Sequence, residues 1–104
     1  MITHYLIRLV QEKGDILFEL QDTDGLVEKV ITPYSERCNG LARYIDPYGK
    51  TSFNGIQCEV LINELKPLQE VCLQTIQHDL LVRLLGLLQR AATEVHLHVV
   101  FLGD

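Results

Sequence analysis

The side chains best suited to chemistry in this chain of 104 residues are its histidines and its three cysteines. His96 and His98 are separated by one residue, so on an extended strand both imidazoles would lie on one face. With His4 or a cysteine as a further ligand they could bind a metal ion, since imidazole and thiolate are the usual zinc ligands. The spacing fixes no third ligand, and we therefore predict neither a metal site nor a cofactor.

A cysteine nucleophile needs a thiolate that a neighbouring histidine or another cation activates. Cys58 and Cys72 fall on the apolar stripe of a predicted helix, where a thiol acts as a small hydrophobic side chain. Cys38 has only Arg37 beside it. The sequence has no Gly-rich phosphate loop and no Gly-x-Ser-x-Gly motif. We therefore predict that the chain is not an enzyme, and a small metal- or thiol-dependent enzyme remains the alternative.

A central loop is rich in the residue types that dominate protein-protein contacts, tyrosine and arginine. Its tyrosines either pack against the rest of the fold and hold the loop in place, or they face a partner. Acidic side chains lie in the same loop and at a turn before it, where they would steer a charged partner. We predict that a partner protein binds Asp22, Asp24, Tyr34, Glu36, Tyr44, Asp46 and Tyr48.

Charge narrows the class of partner. The chain has 14 acidic and 9 basic residues, a formal net charge of −5 and a pI near 5.2. No window clusters lysines and arginines that could neutralise a row of phosphates, which argues against direct binding to nucleic acid. An acidic surface suits a basic protein instead, because complementary potentials accelerate the encounter.

The sequence also predicts the cellular compartment of the protein. The apolar run near the amino terminus lacks a basic segment before it and is interrupted by Arg8, which is untypical of a signal peptide. The most apolar stretch, residues 80–88, includes Arg83 and is shorter than the roughly 20 residues that span a membrane. An odd number of cysteines indicates reduced thiols. We expect a cytoplasmic protein that is a monomer or weak homodimer when free, with a structural subunit of a homo-oligomer as a further alternative.

Hydrophobic periodicity predicts the first elements. Residues 3–10 alternate as a strand, and a second strand follows the turn at Gly14 to complete a hairpin. Residues 22–25, Asp-Thr-Asp-Gly, are predicted to form a hairpin turn before a third strand of a meander at residues 26–31. From residue 32 to about 52 no period is visible, so we predict a long loop that contains a type I turn at Asp46-Pro-Tyr-Gly.

The second half of the chain predicts two helices and a strand. One helix begins near Asn54, whose side chain forms a capping box with Gln57 while Phe53 packs onto Cys58. The place where this helix ends, near Pro67, stays open.

The next helix, from residue 77 to 93, should be the most buried, with Gly86 where another backbone approaches closely. The final run, VHLHVVFLGD, predicts a central or parallel strand. The whole is an α+β fold of one domain over residues 1–104, in two layers: a small antiparallel or mixed sheet in the order ββ(β)-loop-αα-β, packed on two helices.

Residues 43–104 resemble the small immunity proteins that bacteria encode beside polymorphic or contact-dependent growth inhibition toxins. The resemblance rests on Asp46-Pro-Tyr-Gly-Lys-Thr-Ser-Phe-Asn, on Gln57, on the Leu61-Ile-x-Glu-Leu run and on the terminal VHLHVVFLGD. Lys50 departs from the family's pattern, which has an acidic residue there. The resemblance implies a cytoplasmic inhibitor that binds one cognate toxin domain, often a nuclease, and covers its active site.

Overall fold

A computed structural model describes residues 4–71 and 73–103 of the chain. Within these residues four strands form one antiparallel sheet in the order β2-β1-β4-β3. The strands are β1 (Tyr5–Gln11), β2 (Ile16–Asp22), β3 (Lys50–Phe53) and β4 (Leu97–Leu102). The α-helices in the same part of the chain are α1 (Thr32–Cys38), α2 (Gly55–Leu65) and α3 (Thr75–Thr93). The predicted α+β class and the sheet packed on helices are confirmed.

The amino-terminal hairpin forms as predicted. Strands β1 and β2 pair antiparallel, and Arg8 and Glu19, which lie opposite each other, form an ion pair of 2.6 Å between Nε and Oε2. The register shifts between Leu9 and Val10, so Leu17 is an extra residue on β2. This bulge interrupts the pairing of an edge strand, a common way to keep such an edge from pairing with other chains.

The hydrophobic core lies between the sheet and the helices. Alternate side chains of the two central strands face it and are almost completely buried: Tyr5, Ile7 and Leu9 on β1, and Leu97, Val99 and Phe101 on β4. The rings of Phe53 and Phe101 meet edge to face, with centroids 5.7 Å apart. Because this alternation decides which face each strand buries, it also fixes the register of the sheet.

Helix α3 provides the largest helical part of the core, as its apolar run predicts. Its buried leucines are Leu80, Leu81, Leu84, Leu87 and Leu88. The prediction for Gly86 is wrong: this residue is exposed, and a Cβ there would meet nothing within 4 Å. The close approach occurs instead at Gly55, where a Cβ would lie 2.8 Å from the carbonyl oxygen of Ala91. No helix within the described residues is long and apolar enough to cross a membrane.

Helix α2 begins with the predicted capping box. The Asn54 side chain accepts a hydrogen bond of 2.9 Å from the amide of Gln57, and the Gln57 side chain accepts one of 2.9 Å from the amide of Asn54. Phe53 and Cys58 are both buried. Helix α2 ends at Leu65, and Pro67 lies in the 3₁₀ turn that follows, Lys66–Glu70. Of the predicted apolar stripe, Cys72 lies outside the described residues.

The predicted third strand is wrong. Residues Leu26–Ile31 form a π-helical segment that runs directly into α1. The cause is local, because the Asp22 carboxylate accepts hydrogen bonds from the amides of Leu26 (2.9 Å) and Val27 (2.8 Å). Gly25 has a left-handed φ of 75° that turns the chain into this segment. The Asp-Thr-Asp-Gly sequence therefore starts a helix rather than a hairpin turn.

The predicted long loop is also wrong, since it contains α1, a 3₁₀ turn (Leu41–Tyr44) and β3. Ser35 is the one fully buried residue of α1, and Phe53 is the one fully buried residue of β3. Neither element therefore shows a hydrophobic periodicity in the sequence. Strand β4 lies in the centre of the sheet, as predicted, but it pairs antiparallel with both of its neighbours. The parallel option for this strand is therefore excluded.

Candidate recognition surface

The antiparallel sheet brings two of the predicted contact segments, residues 22–24 and 46–49, to the same end of the sheet. Leu102 at the end of β4 pairs with Leu6 and with Lys50, which begins β3. The end of β2 lies at the same end of the sheet, because Tyr5 pairs with Asp22. Asp24, just after β2, and residues 46–49, just before β3, therefore both lie at this end of the sheet. Three inter-strand spacings, about 14 Å, separate strands β2 and β3.

The turn at residues 46–49 is held by several hydrogen bonds. The Asp46 carboxylate accepts a bond of 2.8 Å from the amide of Tyr48, and the Asp46 amide donates one of 2.8 Å to Thr51 Oγ1. From the end of the chain, the amide of Gly103 donates a bond of 2.8 Å to the carbonyl of Gly49. The predicted turn is present, and it is anchored at both its ends.

The tyrosines of this region face solvent rather than the fold. Tyr48 is 83% exposed and Tyr44 is 62% exposed. The guanidinium of Arg43 lies 4.7 Å from the centre of the Tyr44 ring and donates a bond of 2.7 Å to its hydroxyl. Arg43 also donates a bond of 3.0 Å to Asn39 Oδ1. We call Arg43, Tyr44, Asp46 and Tyr48 the tyrosine surface, and its two rings do not pack against the core.

The other predicted contact residues have mixed environments. Tyr34 is partly buried and packs against the core. Its ring therefore helps to hold α1 in place. Glu36 is exposed on α1, and Asp24 is half-buried. The backbone carbonyl of Asp24 accepts a hydrogen bond of 3.1 Å from the Gln77 side chain. The Asp24 carboxylate accepts a separate bond of 3.2 Å from the Thr23 hydroxyl.

Asp22 has to be removed from the contact set. Its relative exposure is 0%, and both of its carboxylate oxygens accept amide hydrogen bonds from the segment that follows. A carboxylate so placed stabilises the chain reversal before α1. It is not available to attract or touch a partner, and of the two aspartates in this turn only Asp24 reaches the surface.

Sequence reasoning missed Glu64, which organises the segment before the tyrosine surface. Its carboxylate accepts hydrogen bonds from the hydroxyl of Ser35 (2.8 Å) and from the amides of Leu41 and Ala42. Gly40 packs against the same carboxylate, and a Cβ there would lie 2.3 Å from the Glu64 side chain. The Asn39-Gly40 turn signal and a glutamate beside Leu65 were the available clues, but no local rule joins them.

The two histidines near β4 do not share a strand face. His96 precedes the strand in a left-handed conformation with φ 65°, and its Nδ1 lies 2.6 Å from Glu12 Oε2. His98 lies within the strand and pairs with Val10. Within residues 4–71 and 73–103, no group of three or more His, Cys, Asp or Glu side chains is arranged to hold a metal ion.

Neither described cysteine is set up as a nucleophile. Burial raises the pKa of the Cys58 thiol from 9.0 to about 11, although a hydrogen bond with the backbone at Val99 acts in the opposite direction. Its thiol therefore stays protonated near neutral pH. Cys38 is exposed at the end of α1, and its sulfur donates only a long contact of 3.7 Å to the Ser35 carbonyl.

One concave part of the surface lies at the opposite end of the sheet. A shallow groove of about 410 Å³ runs between the start of α2 and the α3–β4 connection, and its lining includes Ile56, Glu59 and Val95. It is at the other end of β4 from the tyrosine surface. Neither Tyr44 nor Tyr48 lines this groove.

Comparisons with known proteins do not assign the chain. No protein-family profile matches it, and neither a curated protein nor a solved structure shows significant similarity to it.

Proposed function

We propose that this chain is a cytoplasmic immunity protein that binds a cognate bacterial toxin domain and covers its active site. The observation that carries the proposal is Tyr48, a large aromatic side chain that is 83% exposed on a turn fixed by hydrogen bonds at both ends. The resemblance to immunity proteins includes this same turn.

A fixed, exposed tyrosine is a good anchor for binding. Tyrosine buries a large apolar area, keeps a polar hydroxyl at its tip and has few rotatable bonds to immobilise. The turn is already ordered in the free chain, so binding does not have to order it again. Arg43 stacked on Tyr44 adds a second flat contact within five residues of the first.

The charge of the chain supports the same class of partner. A nuclease binds a polyanion and therefore has a basic active-site cleft. A chain with a net charge of −5 is attracted to such a cleft over the distance at which salt does not yet screen the charges. At contact, Asp46 and Asp24 would occupy phosphate positions, while the tyrosines fix the orientation.

The test is to co-express this chain with the toxin domain encoded next to it in a bacterial host. We expect the domain alone to arrest growth, and the chain to restore growth and form a complex with it. Tyr48→Ala should lose protection, whereas Ile56→Ala, which removes a side chain 78% exposed in the groove at the opposite end, should keep it. A neighbouring domain that is harmless, or that arrests growth but never binds this chain, contradicts the proposal.

A further inference from the structure

Glu64 links three elements that the sequence separates. It lies on α2, and its carboxylate accepts hydrogen bonds from Ser35 on α1 and from Leu41 and Ala42 in the 3₁₀ turn. Arg43 and Tyr44 follow directly in that turn. The direction of the polypeptide at the tyrosine surface therefore depends on a side chain that is not part of that surface.

The groups around the Glu64 side chain favour an ionised carboxylate at this position. The hydrogen-bond partners of this carboxylate are donors: the Ser35 hydroxyl and the backbone amides of Leu41 and Ala42. An ionised carboxylate is an acceptor at both oxygens, and hydrogen bonds to an ionised group are shorter and stronger than neutral ones. A glutamine of nearly the same size would turn an NH₂ group towards one of these donors.

Gly40 provides the space on the other side. A Cβ at this position would lie between 2.3 and 2.5 Å from the carboxyl atoms of Glu64. Since Gly40 has an ordinary extended conformation with φ −81° and ψ 170°, its backbone angles do not require glycine. The need for glycine here comes from the carboxylate, so the two residues form one unit.

We infer that Glu64 is a positioning residue for toxin recognition, holding the 3₁₀ turn so that Arg43 and Tyr44 meet the partner already in place. The effect on binding rests on the proposed function, whereas the effect on the turn does not. An ordered turn should show as slow amide hydrogen exchange at Leu41 and Ala42. Loss of the carboxylate should accelerate exchange there and leave the sheet unchanged.

The experiment compares Glu64→Gln with Glu59→Gln, a matched change of an exposed glutamate on the same helix. For Glu64→Gln we expect amide exchange at Leu41 and Ala42 to become about tenfold faster, as the loss of a charge-assisted hydrogen bond predicts, and the toxin domain to dissociate faster by a similar factor. Exchange in β1 should not change. Glu59→Gln should behave as the wild-type chain in both measurements.

A double-mutant cycle separates positioning from a general loss of stability. If Glu64 acts through Tyr44, then Glu64→Gln should accelerate dissociation little in a chain that already carries Tyr44→Ala. Fully additive effects, or unchanged exchange at residues 41 and 42, overturn the inference. If the wild-type chain does not bind the toxin domain at all, the proposed function fails, and the exchange measurement alone decides whether Glu64 orders the turn.

Discussion

Gly103 lies against Pro47 so closely that a Cβ on residue 103 would be 2.3 Å from the Pro47 carbonyl oxygen. The end of the chain thus packs on the turn that carries Tyr48, and the Gly103 amide bonds to Gly49 in the same turn. Two segments that carry the resemblance, the Asp46 turn and the terminal run, are one structural unit. The contacts between them are part of the fold, whatever the chain binds.

Gly103→Ala should therefore disturb the turn more than the fold. The added methyl group cannot fit without moving backbone atoms of Asp46 and Pro47, and overpacking of this kind typically costs about 1–3 kcal/mol. We expect a lower free energy of unfolding in urea and shifted NMR signals at residues 46–49. Unchanged signals at these residues would mean that the close packing does not exist in solution.

Gly86→Ala should act in the opposite direction. The residue is exposed in the interior of α3, and a Cβ there meets nothing within 4 Å. Alanine is favoured over glycine in a helix by about 1 kcal/mol, so the free energy of unfolding should rise by about that amount. A lower stability would show that the surroundings of Gly86 differ from those described. A stabilised variant that no longer binds the toxin domain would place this face of α3 in the interface.

Asp22 and Asp24 should have separable roles although they are two residues apart. Asp22→Asn replaces one of the two buried oxygens that accept amide hydrogen bonds with an NH₂ donor, and we expect it to destabilise the chain by about 1–3 kcal/mol in urea. Asp24→Asn should leave stability nearly unchanged and slow association with a basic partner at low salt. Equal stability losses for the two variants would contradict the assignment of Asp22 to the fold.

The buried thiol of Cys58 should make the free energy of unfolding decrease as the pH rises above 9. Its pKa is raised from 9.0 to about 11 in the folded chain, so the folded state holds this proton more tightly than the unfolded state. Its contribution is complete below pH 9 and is lost as the pH rises towards 11, up to about 2–3 kcal/mol in all. Comparing wild type with Cys58→Ala in urea at pH 8 and pH 10.5 isolates this effect from other groups. An identical pH dependence in both chains would contradict it.

The elements that the sequence predicts correctly are those whose signals are long or chemically specific. Strand β1 alternates from Tyr5 to Leu9, α3 has an apolar face over several turns, and the Asn54 and Gln57 pair specifies a helix start on its own. Each of these signals depends on neighbours along the chain, which the sequence supplies directly.

The missed features depend on residues far apart or on one local contact. Residues 26–31 read equally well as a strand until the Asp22 carboxylate is seen to cap their amides. Glu64 meets residues 22 to 29 positions away in the sequence, and no periodicity predicts such a contact. Of the predicted contact residues, Glu36, Tyr44, Asp46 and Tyr48 are exposed, whereas Asp22 is completely buried.

The most direct test of the account is the rate at which the neighbouring toxin domain dissociates from wild type and from Tyr48→Ala. Because the ring is 83% exposed, its removal should leave the unfolding transition unchanged. We expect dissociation of Tyr48→Ala to be about 30-fold faster, the effect of losing an interface hot spot worth about 2 kcal/mol. A folded Tyr48→Ala chain that releases the toxin domain at the wild-type rate would contradict the claim that this turn is the binding surface.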